Sequence, residues 1–299
     1  MIELVKPGAW TTIQDRGRRG YERFGIPVGG AVDRFSAAVA NRLVGNHVDC
    51  ALFECTLDGP TLRFPEDVTI AIAGGECAEQ PTGVPHRVDA GATFRVGRIG
   101  PGLRAYLAIR GGIDVPVLMG SRSLCQRGGF GGGFGRALQA GDQVPVGGEI
   151  SRQAARSAWP AAHRLPLRGP WEVRVIAGPH NDAFASDALE RFINTACRVT
   201  PQIDRMGMRL EAPALHLRTR EIVTTAVPEG GIQVTPSGEL IVLLAEHQTT
   251  GGYPIIATVI SSDMPLLAQA RPGDTVHFRA VSLAEARRAR TRLNDWLRA

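Results

Sequence analysis

Short apolar runs rich in β-branched residues recur along the chain, each bounded by Gly, Pro or Asp. They include Val68-Thr-Ile-Ala-Ile72, Thr93-Phe-Arg-Val96, Ala105-Tyr-Leu-Ala-Ile109 and Glu172-Val-Arg-Val-Ile176. The series continues with Glu239-Leu-Ile-Val-Leu-Leu244, Ala257-Thr-Val-Ile260 and Thr275-Val-His-Phe278. Runs this short, closed by turn residues, predict strands. A few stretches carry a helical pattern instead. Asp33 is placed to cap a helix from Arg34 to Val44, which Gly45-Asn46 ends. Asn181 or Asp182 opens a second helix, expected to reach about Cys197. Ser282 opens the last, with Glu285 at the capping-box position. A mostly β chain with a few helices excludes a Rossmann fold or a TIM barrel, which need a helix after nearly every strand.

The two halves of the pattern echo each other. Ala140-Gly-Asp-Gln-Val144 closes the first and Pro272-Gly-Asp-Thr-Val276 nearly closes the second. Between Ile150 and Pro170 the chain is rich in Ala, Arg, Ser and Pro and has no clear period. The expectation is a first β lobe over 1–150, a connector over 151–170, and a second β lobe with a C-terminal helix over 171–299.

Composition agrees with this picture. The 299 residues suffice for one large or two ordinary domains, and 43% hydrophobic with 21% charged residues is a globular balance. The net charge of +5 raises the question of nucleic acid. Lys6 is the only lysine, however, and the arginines are spread. The densest run, Arg287-Arg288-Ala-Arg290-Thr-Arg292, reads as the solvated face of the last helix. No nucleic-acid partner is expected. The five cysteines form no CxxC pair and the seven histidines do not cluster, so neither a disulfide framework nor a metal is expected. No apolar signal core opens the chain and no run of about 18 apolar residues occurs. A cytoplasmic protein without a membrane partner is the expectation.

The common self-contained catalytic patterns GxxxxGK, HExxH and GxSxG are absent. Glycine instead recurs beside polar side chains. Gln14-Asp15-Arg-Gly17-Arg18-Arg-Gly20 sets opposite charges beside glycines, either as a ligand loop or as a charged hairpin. Gly29 and Gly30 lead into the first helix, where free amides can hold an anion or Asp33 can simply cap. Arg110-Gly111-Gly112 follows a strand. Gly128 to Gly135 is read as a mobile surface loop or, alternatively, as a lid. Arg205 and Arg209 flank Gly207, as a carboxylate or phosphate clamp or as an exposed turn. Gly231-Ile-Gln233 precedes a strand that ends in Glu246-His247-Gln248-Thr249-Thr250-Gly251-Gly252-Tyr253-Pro254. So polar a strand end reads either as a glycine-rich hairpin or, since it is hard to explain by packing, as part of a site. Its amide and hydroxyl groups suit an amide, urea or lactam.

These stretches together resemble the KipA/PxpC family, also called allophanate hydrolase subunit 2 and related to the carboxyltransferase domain of urea carboxylase. The resemblance runs from Lys6-Pro-Gly-Ala-Trp-Thr-Thr-Ile-Gln-Asp-Arg-Gly17 and Gly25-Ile-Pro-Val-Gly-Gly-Ala-Val-Asp33, through Glu54 and Arg110-Gly-Gly112, to Gln248-Thr-Thr-Gly-Gly-Tyr-Pro254 and Pro272-Gly-Asp274. It implies two cyclophilin-like β-barrel lobes. It also implies a 5-oxoprolinase assembled with KipI/PxpB-type and LamB/YcsF-type (PxpA) subunits, in which the complex uses ATP to open 5-oxoproline to glutamate.

Two alternatives follow from the same resemblance. One is a biotin-dependent carboxyltransferase acting on urea or a similar amide. This chain lacks Met-Lys-Met and carries no biotin of its own, so a carrier partner is then needed. The other is a non-catalytic regulator that binds a KipI-type protein. The chain departs from the family pattern at Gly178-Pro179-His180 and at Glu246-His247; both histidines are read as tolerated loop residues. Side-chain chemistry and the resemblance together give Asp15, Glu246 and Gln248 as catalytic candidates. Arg18, Gly29, Gly30, Arg110, Arg205, Arg209, Gln233, Thr249, Thr250, Gly251 and Tyr253 are the substrate-binding candidates.

Overall fold

The computed structural model describes residues 1–148, 155–218 and 222–298. The chain forms two compact units: Met1–Arg19 with Gly29–Leu167, and Gly20–Val28 with Arg168–Ala299. The sequence expectation gives 1–150 to one lobe as a continuous run. Residues 20–28 instead group with the second unit, and 155–167 with the first. Residues 151–154 of the expected connector lie outside the described residues.

The first unit contains β1 (Ile2–Lys6), β2 (Trp10–Gln14), α1 (Arg34–Leu43), β3 (Leu52–Thr56), β4 (Asp58–Arg63), β5 (Val68–Gly74), β6 (Pro85–Val88), β7 (Thr93–Arg98), β8 (Arg104–Ile109) and β9 (Gln143–Val144). One sheet has the order β7-β4-β1-β9 and the other β2-β3-β8-β5-β6. Ile2, Leu4 and Leu62 of the first sheet share a single core with Phe53, Ile70, Ile72 and Leu107 of the second. Burying such side chains contributes about 2 kcal/mol each and holds the sheets face to face.

Helix α1 packs on β5 and β8. Asp33 caps it as expected: its carboxylate accepts from Ser36 N at 2.8 Å and from Ser36 Oγ at 2.6 Å. Asp33→Ala should therefore lower the unfolding free energy by about 1–2 kcal/mol, measured by urea titration.

The second unit contains β10 (Trp171–Ala177), α2 (Ala188–Ile193), β11 (Ala196–Ile203), β12 (Gly207–Glu211), β13 (Thr225–Ala226), β14 (Gly231–Val234), β15 (Leu240–Leu243), β16 (Thr250–Gly251), β17 (Ile255–Val259), α3 (Met264–Gln269), β18 (Thr275–Ala280) and α4 (Leu283–Arg298). Its main sheet closes on itself in the order β10-β17-β14-β15-β12-β11-β18, and β13 pairs with β16 apart from it. Closure leaves no free sheet edge. The mostly β, two-lobed class expected from the sequence holds, with one unit a closed barrel and the other two packed sheets.

The Gly-Asp echo between the halves is a repeated turn. Asp142 accepts from Gln139 N at 2.8 Å and Asp274 from Arg271 N at 2.9 Å, each three residues back. A strand starts immediately after each aspartate. The second helix is shorter than expected. Asn181–Ala183 is a 3-10 turn, α2 ends at Ile193, and Cys197 lies in β11. The alternating burial of Ala196-Cys-Arg-Val199 explains why this segment serves the barrel as a strand. None of the described helices is long and apolar enough to cross a membrane.

Candidate functional site

The glycine motifs of the first unit form a knot around Asp15, which follows β2. Asp15 Oδ1 accepts from Gly17 N at 2.7 Å, Ser121 Oγ at 2.6 Å and Ser123 Oγ at 2.5 Å. Oδ2 accepts from Arg122 N at 2.6 Å. Both oxygens are thus engaged by donors, which fits a structural anion better than the proton carrier expected from sequence. Ala31 N donates to Asp15 O at 2.9 Å, so the Gly29-Gly30 stretch lies against this turn. Gly30 has φ +83°, and a Cβ there would come within 2.6 Å of Gly17 N; only glycine fits.

Arg18 is buried, donates to Ser123 O, and lies 4.9 Å from the centre of the Phe130 ring. The Gly128–Gly135 stretch is therefore built into the knot. Cys125 N donates to Phe130 O at 2.8 Å and Gly132 N to Arg122 O at 3.1 Å. Deeper in the same unit, Glu54 Oε2 accepts from Val32 N at 2.8 Å and from Tyr106 OH at 2.9 Å, which fixes the approach to α1. Burial and the neighbouring Glu54 push the Tyr106 hydroxyl pKa well up, so it stays a donor at neutral pH. Asp15 borders a pocket of about 790 Å³ with Asp114 and Arg122, which pair at 2.6 Å. The exposed Arg110 borders another of about 620 Å³.

The second unit gathers more of the candidates. A pocket of about 410 Å³ is lined by Arg209 on β12, Gln233 on β14, and Gln248 and Tyr253 beyond β15. Its apolar wall includes Ile203, Ile241 and Leu243, and Met206 also lines it. The sequence reading missed this wall, although alternation along β15 marks Ile241 and Leu243 as sharing a face. Gln248 Nε2 donates to Gln233 Oε1 at 3.1 Å. Gln233 is only 2% exposed, and its Nε2 has no hydrogen-bond partner among the described residues. Arg209 sits at the rim and pairs with Glu239 at 2.9 Å.

The loop that carries Gln248 is fixed from both sides. His247 Nδ1 lies 2.6 Å from Gln248 O, a contact that the Nδ1–H tautomer makes as donor. Val227 N donates to Thr249 O at 3.1 Å, and Thr250-Gly251 pair with Thr225-Ala226. A Cβ on Gly251 would lie 2.7 Å from Gln233 Nε2. Arg205 and Glu246 are paired with each other at 2.7 Å, with side chains 7% and 1% exposed. Glu246 N also donates to Arg205 O at 2.8 Å. This pair ties the β12 entry to the Gln248 loop. Of the two family departures, His180 accepts from Ile255 N at 3.1 Å, so both histidines make backbone contacts.

Residues 24–280 match the family model of the carboxyltransferase domain, subdomain A and B. The chain is 36% identical over 297 residues to the 5-oxoprolinase C subunit of Escherichia coli K12, covering 97% of this chain and 94% of that protein. It is 34% identical over 316 residues to the urea amidolyase of Lachancea kluyveri, covering 96% of this chain but 17% of that much longer protein. The crystal structure of the Kluyveromyces lactis urea carboxylase superposes with a TM-score of 0.93 at 32% identity, over 99% of this chain and 29% of that one. On sequence and fold alike, the chain belongs to the family of the carboxyltransferase domain, subdomain A and B, and is homologous over nearly its full length to 5-oxoprolinase C subunits.

Proposed function

We propose that this chain is the subunit of a cytoplasmic, ATP-dependent 5-oxoprolinase that holds the lactam, and that it acts with KipI/PxpB-type and LamB/YcsF-type partners. The observation that carries this reading is the bonded Gln233–Gln248 amide pair in the second-unit pocket. Neutral amides against an apolar wall suit an uncharged amide, and the rim guanidinium of Arg209 suits a substrate carboxylate. In the reaction the ring C–N bond breaks, oxygen from water ends on the former carbonyl carbon, and ATP hydrolysis by the complex drives the opening. Here the chain's own residues bind and orient; none is needed as a covalent nucleophile.

The test is to combine the chain with both partner types, ATP and 5-oxoproline, and to measure glutamate. Glutamate should form only when this chain is present, and Gln248→Ala should lower kcat/KM about tenfold or more. Unchanged turnover by that variant removes the site from the proposal. A second reading, carboxyl transfer from a biotin-bearing partner to urea, is favoured by the urea carboxylase superposition. It requires urea-dependent ATP consumption in the presence of such a carrier.

A further inference from the structure

We infer that His180 is a positioning residue of the second-unit pocket: it holds Ile255, and through Ile255 the wall that includes Ile241, Leu243 and Tyr253. This rests on the site proposed above and adds a residue that does not itself line it. The β10–β17 ladder runs to Ala177 opposite Ala257. Gly178 N extends it by donating to Ile256 O at 2.9 Å. The approach is close, since a Cβ on Gly178 would lie 2.1 Å from Ile255 O. Pro179, which has no N–H, follows. A side chain then takes the next amide: Ile255 N donates to His180 Nδ1 at 3.1 Å. A ring nitrogen that accepts carries no proton, so the imidazole proton sits on Nε2. Ile255 is 1% exposed, and a buried backbone N–H needs an acceptor.

The position of Ile255 matters to the pocket in two ways. Its side chain packs with Leu243 and Ile241, both members of the apolar wall. It also stands at an irregular point of the ladder. Ile232 faces Ala257 and Gln233 faces Ile255, so Ile256 is an extra residue that bulges β17. A bulge re-aims the residues beside it, and here those include Gln233 and Tyr253, which line the pocket. Pro254 O accepts from Val234 N at 2.9 Å, which ties the bulge to β14. His180 supplies the tie on the β10 side. Its loss changes the shape of the wall and not a contact with the reacting atoms, so binding should suffer more than turnover.

The test begins with the 15N-labelled full chain. At mildly alkaline pH a long-range proton–nitrogen spectrum of the wild type should show His180 Nδ1 bare and Nε2 protonated; a proton on Nδ1 overturns the inference. His180→Leu keeps the bulk and removes the acceptor. It should speed hydrogen exchange of the Ile255 amide about tenfold or more and shift the amide signals of Ile241, Leu243 and Tyr253. His180→Asn sets a carbonyl oxygen close to where Nδ1 stood and should return both towards wild type. Changes confined to residues 178–180 and Ile255 sink the inference. In the assembled complex, His180→Leu should raise KM for 5-oxoproline about fivefold or more with kcat within about twofold, and His180→Asn should restore KM. An unchanged KM also counts against it. If the wild-type complex forms no glutamate, the parent proposal fails by itself, and the Ile255 exchange and the wall signals still decide this one.

Discussion

Replacing Asp15 by alanine should lower the unfolding free energy by about 3 kcal/mol, seen as an earlier transition in urea. The carboxylate accepts four hydrogen bonds, two from backbone amides and two from serine hydroxyls. Hydrogen bonds to a charged acceptor are worth about 1.5–3 kcal/mol each, and the stranded donors are only partly rehydrated. The loss reaches beyond one turn, since Ser121, Arg122 and Ser123 lie over a hundred positions further along the chain. Asp15→Asn sharpens the result. It preserves shape but turns an NH2 group toward existing donors, so it too should destabilise. A proton-carrying Asp15 would behave differently: the asparagine variant would keep its transition and lose turnover.

Arg205→Met should destabilise the second unit by about 3–5 kcal/mol, again by urea titration. The substitution leaves the Glu246 carboxylate buried without its guanidinium. Removing one member of a buried ion pair is among the costliest of single changes. The double variant Arg205→Met with Glu246→Leu should regain most of that loss, because an apolar pair of similar size carries no desolvation cost. Regained stability with persistent loss of turnover would mean that the pair also acts on substrate. If the single variant unfolded at the wild-type urea concentration, the pair would not be the tie between the two segments described above.

Much of the fold was legible because its signals are local. Runs such as Val68–Ile72 and Thr275–Phe278 carry their own turn residues, and the Asp33 and Ser282 caps lie within one helical turn of what they satisfy. The failures have physical causes. The signal for α3, Met264-Pro-Leu-Leu-Ala-Gln269, is too short for a period, and Pro265 reads as a breaker although proline is tolerated in a first turn. The candidate site was legible as residues but not as partnerships. Gln233 and Gln248 stood out beside glycines, yet their bond joins β14 to the loop beyond β15, 15 positions along the chain. Arg205 and Glu246 each looked like available chemistry because sequence shows a charge and not what neutralises it 41 positions away.

The assignment of residues 20–28 to the second unit has a practical meaning for dissecting this protein. The chain leaves the first unit after Arg19, returns at Gly29, and departs again after Leu167. No single cut separates the two units into intact pieces. A fragment ending at residue 167 would carry nine residues that belong to the missing half, and a fragment starting at 168 would lack them. Studying the second unit alone therefore requires residues 20–28 supplied together with 168–299, and studying the first requires 1–19 rejoined to 29–167.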